Sequence, residues 1–164
     1  METLHVVEKE SFQVIGYRIT TTNQKKAAVN DIPAFWKTME LQVHTQLKAM
    51  MKKDAKGVFG INAYNSDSND SRIFEYYIAV ESDQTCPKDM FCYTLPKALW
   101  AIFPCTKETL AKTEVMAIMK YIPKAGYKPL NKGYMTGRMK SMAPDIEYYG
   151  KGDYVEVWVA VEKK

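Results

Sequence analysis

The chain contains one segment written twice. Residues 74–82, FEYYIAVES, return eighty-one positions later as VEVWVAVEK at 155–163, with four of nine positions identical. The residues ahead of each copy repeat too, since INAY at 61–64 precedes the first and IEYY at 146–149 precedes the second. A duplicated sheet unit has a seam between its copies, and ligand sites are common at such seams. The sequence therefore predicts one domain over 1–164, made of related halves at about 1–85 and 86–164.

Each half has the pattern strand, helix, strand, strand. In the first half, strands are predicted at 12–22, 58–65 and 72–81, a polar turn at 66–71, and a helix that Asp31 caps and that ends near Lys53. In the second half, a strand or strand pair is predicted at 90–104, a helix at about 107–121, and a hairpin at 146–149 and 154–162. This order predicts an α+β fold, in which an antiparallel sheet carries two helices on one face and a pseudo-two-fold groove separates the halves.

Composition narrows the classes of function. The net charge of +4 is spread along the chain, whereas a nucleic-acid surface needs a concentrated basic stripe. No apolar run has the length of a signal peptide or a membrane span. Three cysteines, Cys86, Cys92 and Cys105, favour reduced thiols, and His5 and His44 are too isolated for a zinc site. We therefore expect a cytoplasmic protein without metal or cofactor and without direct nucleic-acid or membrane partners.

Alternation along the two repeated strands predicts which side chains share a face. The apolar residues at 74, 76, 78 and 80, and those at 155, 157, 159 and 161, should lie under the helices. The opposite faces carry Glu75 and Tyr77 in one copy and Glu156 and Trp158 in the other, with alanines between them. These side chains would line both sides of the seam, unless this face is simply a solvated sheet surface.

Several segments together resemble the GyrI-like family of small-molecule-binding domains, which serve multidrug-responsive transcription activators and also occur alone. The resemblance rests on Gly60-Ile61, FEYYIAVES, LPKALWAIFPC at 95–105, YIPKAGY at 121–127, the Glu147-x-Tyr149 element and the closing VEVWVAV. It implies a groove between two strand-helix-strand-strand units. It also implies that Glu147, with Tyr149 beside it, contacts cationic ligands.

A carboxylate in an aromatic groove is costly to desolvate unless it stays hydrated, is protonated or meets a cation. A flat lipophilic cation would satisfy it, and each aromatic face adds roughly 0.5–2 kcal/mol. The predicted ligand-binding residues are Glu147, Tyr149, Trp100, Tyr64, Tyr77 and Trp158, with Asn62 opposite Glu147 and with Glu75 and Glu156 as secondary acids. For Trp100 a place in the core is an equal alternative, and Glu147 could instead be a surface residue paired with a lysine.

Three functions are compatible with these residues. The leading one is a stand-alone module that binds amphipathic, cationic aromatic molecules and acts as a sensor or sequestering protein. The second is a hydrolase of cyclopropane-containing DNA-alkylating compounds, with Glu147 as general base, because some family members catalyse that reaction. The third is a protein-interaction inhibitor of the gyrase-inhibitor type, whose basic stretches at 48–56 and 124–138 would dock an acidic partner.

Overall fold

The strands form where β-branched and aromatic residues alternate. A computed structural model describes residues 4–64, 69–70, 72–131 and 142–164. Most of the predicted polar turn at 66–71 lies outside these residues, and so does the part of the basic stretch at 124–138 that begins at residue 132. The strands are β1 (His5–Lys9), β2 (Phe12–Thr22), β3 (Val58–Ala63), β4 (Ile73–Glu81), β5 (Phe91–Leu95), β6 (Ala98–Thr106), β7 (Tyr127–Pro129), β8 (Asp145–Tyr149) and β9 (Tyr154–Lys163).

Two helical segments follow the apolar stripes. The first helix, residues 27–50, consists of α1 (Ala27–Thr38), α2 (Glu40–Gln42), a π-helical turn (Val43–Leu47) and α3 (Lys48–Met50). The second helix, residues 110–124, consists of α4 (Leu110–Met116), a π-helical turn (Ala117–Tyr121) and α5 (Ile122–Lys124). Within the described ranges, no helix combines the length and apolarity needed to cross a membrane.

The first helix begins before the predicted cap. Lys25 and Lys26 have positive φ angles and turn the chain into α1 at Ala27. Asp31 therefore lies inside the helix, where its carboxylate accepts a 2.7 Å hydrogen bond from the Thr21 hydroxyl. The predicted role of Asp31 as the N-cap is wrong, because the helix gains an extra turn and Asp31 ties that turn to β2.

The sheet shows the duplication as a symmetric strand order. Its path is β1-β6-β9-β8-β3-β4-β2-β5, all antiparallel, with β7 attached to β9. If each strand is replaced by its counterpart in the other half, the same order is obtained, read from the opposite edge of the sheet. Two edge strands are exchanged, because β1 pairs with β6 of the second half while β5 pairs with β2 of the first. The predicted α+β fold with an antiparallel sheet is confirmed.

Three apolar clusters hold the layers together. Phe74, Tyr76, Ile78 and Val80 pack under the first helix, and Val157, Val159 and Val161 pack under the second, as the alternation predicts. The third cluster covers the opposite face of the sheet, where Phe59, Ile61, Tyr77, Trp100 and Trp158 are buried. The face away from the helices is thus an aromatic core of its own, and the solvated alternative for that face is wrong at its centre.

A disulfide closes the connection between β4 and β5. Cys86 and Cys92 are paired, with their Cα atoms 6.1 Å apart. The predicted reduced state is wrong for these two cysteines, because the intervening residues turn back and bring their Cα atoms within bridging distance. An odd number of cysteines therefore hid one local pair.

Candidate functional site

The middle of the sheet is the seam between the halves, where β3 pairs with β8. Ile61 lies opposite Ile146, so this pair sits on the pseudo-two-fold axis. On either side of it, Gly60 lies opposite Glu147 and Asn62 lies opposite Asp145. The predicted placement of Asn62 opposite Glu147 is therefore wrong, because the strand register pairs Asn62 with the other carboxyl. The first half thus supplies a glycine and an amide to the centre of the seam, while the second half supplies two carboxyls.

Glu147 is held by two tyrosine hydroxyls. Its Oε1 accepts a 2.7 Å hydrogen bond from Tyr149 and a 3.3 Å bond from Tyr76, whose own hydroxyl accepts from the Trp36 indole at 2.8 Å. Burial, followed by the charge of Glu147, raises the pKa of both tyrosines, so both keep their protons and can donate. The half-buried carboxylate is therefore fixed in place by tyrosines, and no basic residue of the described ranges bonds to it.

Gly60 makes this arrangement possible. A Cβ at position 60 would come within 2.2 Å of the Tyr76 hydroxyl and 3.2 Å of Glu147 Oε1. Any larger residue would displace the tyrosine from the carboxylate. The glycine on one side of the seam therefore leaves the space that the acid on the other side needs.

Two further carboxyls lie close to Glu147. Burial, then the charge of Glu147 and a hydrogen bond to it, raises the pKa of Glu114 on α4 well above its usual range. The bond between the two carboxyls requires a proton, which the raised pKa assigns to Glu114. Burial also raises the pKa of Asp145 from 3.8 to about 7, with Glu147 adding to the effect and a hydrogen bond from Asn131 opposing it. In the described part of the chain, no three His, Cys, Asp or Glu side chains are arranged so that they could hold a metal ion.

Two cavities flank this cluster in the groove between the helices. The inner cavity, about 190 Å³, is lined by Tyr64, Glu114, Asp145 and apolar residues of the second helix, β8 and β9, Trp158 among them. The outer cavity, about 390 Å³, is lined by Trp36, Glu40, Tyr149 and Lys107 among others. When the two π-helical turns are aligned, Glu40 corresponds to Glu114. Tyr64 and Tyr149 also correspond, since each lies three residues after the isoleucine on the axis. The two cavities are thus symmetry-related, and Glu147 stands between them.

Four of the nine predicted ligand-binding residues belong to this groove. Glu147, Tyr149, Asn62 and Tyr64 all lie on the helix-bearing side of β3 and β8. Tyr64 lines the inner cavity and Tyr149 the outer one. Their ligand-binding role stays a prediction, but their predicted proximity is what the structure shows.

The other five have their side chains on the opposite face of the sheet, although Trp158 also borders the inner cavity. They are Trp100, Tyr77, Trp158, Glu75 and Glu156. Glu147 is in register with Val157, so its side chain shares the face of Val157 and not that of its neighbours along β9. Trp100 is fully buried and packs on Trp158, with ring centroids 5.8 Å apart, so it lies in the core and not in the groove.

Both secondary acids have partners of their own on that face. Glu75 pairs with Arg18 at 3.3 Å. Glu156 accepts hydrogen bonds from the Trp158 indole at 2.9 Å and from the Tyr154 hydroxyl at 2.5 Å. The prediction that Glu75 and Glu156 are secondary acids of the Glu147 groove is wrong in location, because the groove is on the side of the helices.

Sequence reasoning missed two groove residues, Trp36 and Glu114. Trp36 belongs to the apolar stripe of the first helix, which is typical of a core residue, yet it is half-buried and stands edge-on to Tyr149 with ring centroids 4.8 Å apart. Glu114 carries a readable signal: it falls between Ala111 and Ile118 at helical spacing, inside the apolar stripe of the second helix. A carboxylate in such a stripe indicates a partner or a site.

The chain is similar to known proteins over nearly its whole length. A family model described as Cass2, integron-associated effector binding protein, matches residues 5–161. A search of curated protein sequences gave no match.

Solved structures share the fold at low identity. SAV2435 bound to tetraphenylphosphonium has a TM-score of 0.73 and 20% identity, over 98% of this chain and 94% of that one. A putative transcription regulation protein from Staphylococcus aureus MU50 has a TM-score of 0.71 and 20% identity, over 98% of both chains. The integron cassette protein VCH_CASS2 from Vibrio cholerae has a TM-score of 0.65 and 17% identity, over 97% of this chain and 95% of that one.

Proposed function

The chain belongs to the Cass2 family of integron-associated effector binding proteins, and we propose that its effectors are amphipathic molecules with delocalised positive charge. The observation that carries this proposal is the environment of the Glu147 carboxylate, namely its burial and its hydrogen-bond partners. The carboxylate is half-buried and has two tyrosine donors, and among the described residues no lysine or arginine forms an ion pair with it. A carboxylate in that position gains most from an incoming cation.

The aromatic rings around Glu147 favour a delocalised cation over a compact one. Tyr149 and Trp36 line the outer cavity beside the carboxylate, and aromatic faces attract cations by roughly 0.5–2 kcal/mol each. A compact, strongly hydrated cation would lose its water in this setting, whereas a lipophilic one has little to lose. That SAV2435 has been solved with tetraphenylphosphonium supports this ligand class. The module would serve as a cytoplasmic sensor or sequestering protein.

We expect tetraphenylphosphonium to quench tryptophan fluorescence saturably, and Trp36→Phe to remove most of that quenching. Trp36 lines the outer cavity, whereas Trp100 and Trp158 lie on the other side of the sheet. Since phenylalanine keeps an aromatic face, affinity measured by calorimetry should fall by less than about tenfold.

The matched control is Trp100→Phe, because Trp100 is buried on the opposite face of the sheet and is not among the residues that line either cavity, so the fluorescence of this variant should be quenched like that of the wild type. Absence of saturable binding to the wild-type protein would overturn the proposed function. Quenching that survives Trp36→Phe unchanged would place the ligand outside this groove.

A second candidate function is hydrolysis, and the acid pair is the observation that favours it. Glu114 holds a proton next to Glu147, so one carboxyl can donate a proton while the other activates water. The substrates would be the electrophilic cyclopropane compounds inferred from the family resemblance. Product formation beyond one equivalent per protein, lost in Glu147→Gln, would support this activity. The gyrase-inhibitor type of interaction stays a hypothesis without a specific observation in its favour.

A further inference from the structure

We propose that the inner cavity is a second cation position, which receives a protonated amine carried by the same ligand whose delocalised charge lies beside Glu147. This inference rests on the proposed function and names a narrower ligand class, the lipophilic cation with an amine tail. The residues that define the position are Asp145 and Glu114, with Tyr64 beside them.

The first observation is an oxygen without a partner. Oδ1 of Asp145 is fully buried and has no hydrogen-bond partner among the described residues, while a bond from Asn131 is already provided to the side chain. A buried acceptor left unsatisfied costs about 1–3 kcal/mol. An ammonium group has three N–H donors and would satisfy it.

The second observation is the charge of the walls. None of the described residues that line the inner cavity is basic, and its remaining surface is supplied by residues such as Ala111, Val115, Ile118 and Val157. The titratable groups that face Asp145 are Glu147 on its own strand, Glu114 on α4 and Tyr64 after β3. Each of these groups is neutral when protonated and negatively charged when ionised, so none of them would repel a protonated amine.

The spacing of the two positions fixes the tail. Asp145 and Glu147 are two residues apart on one strand and share a face, so they are separated by about 7 Å along the strand. A tail of about four carbons between the delocalised cation and the amine covers that distance. Because Asp145 and Glu114 must ionise to hold the amine, binding of the tail should release protons and strengthen as the pH rises from 6 to 8.

The test uses two matched probes, butyltriphenylphosphonium and (4-aminobutyl)triphenylphosphonium, titrated by calorimetry into the whole chain at pH 8. We expect the amine to bind about 10- to 100-fold more tightly, as one charge-assisted hydrogen-bonded pair contributes roughly 1.5–3 kcal/mol. Asp145→Asn should remove most of this advantage and leave the butyl probe within about twofold. Glu114→Gln, on the helix surface of the groove, is the second variant, in case Asp145→Asn does not fold.

The outcomes separate this inference from the proposed function. If neither probe binds, the proposed function fails. If both bind equally well to the wild type, the proposed function stands and the second cation position is refuted. An amine advantage over the butyl probe that persists in folded Asp145→Asn and Glu114→Gln would refute it as well. The loss of this advantage in both variants, with the butyl probe unaffected in Asp145→Asn, supports it.

Discussion

Replacement of Glu147 by glutamine is expected to weaken tetraphenylphosphonium binding by about 10- to 100-fold, since a partly desolvated charge interaction is worth roughly 1.5–3 kcal/mol. Glutamine keeps the size of the side chain and can still accept hydrogen bonds from Tyr149 and Tyr76. The change therefore removes the negative charge and little else. Calorimetry measures the loss, and a thermal melt verifies that the variant is folded.

Glu156→Gln is the matched control for this experiment. Glu156 is also a strand glutamate with an aromatic hydroxyl and an indole as donors, but it lies on the opposite face of the sheet. Its substitution should change the affinity by less than about twofold, because its side chain lies on the opposite face of the sheet from the groove, although β8 and β9 are neighbouring strands. Equal losses in the two variants would mean that net charge, and not the Glu147 position, attracts the ligand.

The second large effect is a dependence of stability on pH. The pKa of Asp145 is about 7 in the folded chain and 3.8 as its ordinary value, so the folded state holds the proton more tightly. The stabilising contribution of this proton to the free energy of unfolding is fully present below about pH 4 and is lost as the pH rises through about 7. Since each pKa unit corresponds to about 1.4 kcal/mol, the free energy of unfolding should fall by on the order of 3 kcal/mol over this range. Glu114, whose pKa is raised as well, acts in the same direction.

Urea unfolding at pH 4.5, 6 and 7.5 measures this dependence without ligand. In Asp145→Asn this side chain is neutral throughout, so the decrease should be smaller than in the wild type by on the order of 3 kcal/mol, while the part contributed by Glu114 remains. Asp83→Asn, at an exposed position, provides the matched control and should retain the wild-type slope. Identical slopes in the wild type and Asp145→Asn would contradict the burial of this carboxyl.

Much of the fold can be predicted from periodicity alone. The repeat at 74–82 and 155–163, the apolar stripe of the first helix and the alternation of the strands lead to the observed sheet and to the correct face for Val157 and Tyr76. These features succeed because burial of one face imposes a strict period on the sequence. The start of the first helix is harder, because lysines at positive φ leave no pattern to read.

The site is only half predictable, for a geometric reason. The position of Glu147 beside Tyr149 follows from alternation within one strand. Which of the faces of β4 and β9 looks into the same groove depends on pairing between strands, and the sequence does not contain the register of Glu147 with Gly60 and Val157. Aromatic residues on the wrong face, such as Trp158, look the same in sequence as those on the right one. Trp36 and Glu114 come from the helices, whose rotation over the sheet is set by packing.

The exchanged edge strands have a consequence for what half of this chain could do by itself. A fragment ending after β4 would lack β5 along β2 and would offer β1 no strand to join, so it could complete its sheet only by pairing with an identical copy. In such a homodimer the two positions related by the two-fold axis would carry the same residue, so there would be either two acids or none. Because both halves belong to one chain, this constraint does not apply. One half can carry the charged residue while the other carries the small residue that leaves space for it, and an asymmetric ligand can bind in a single orientation.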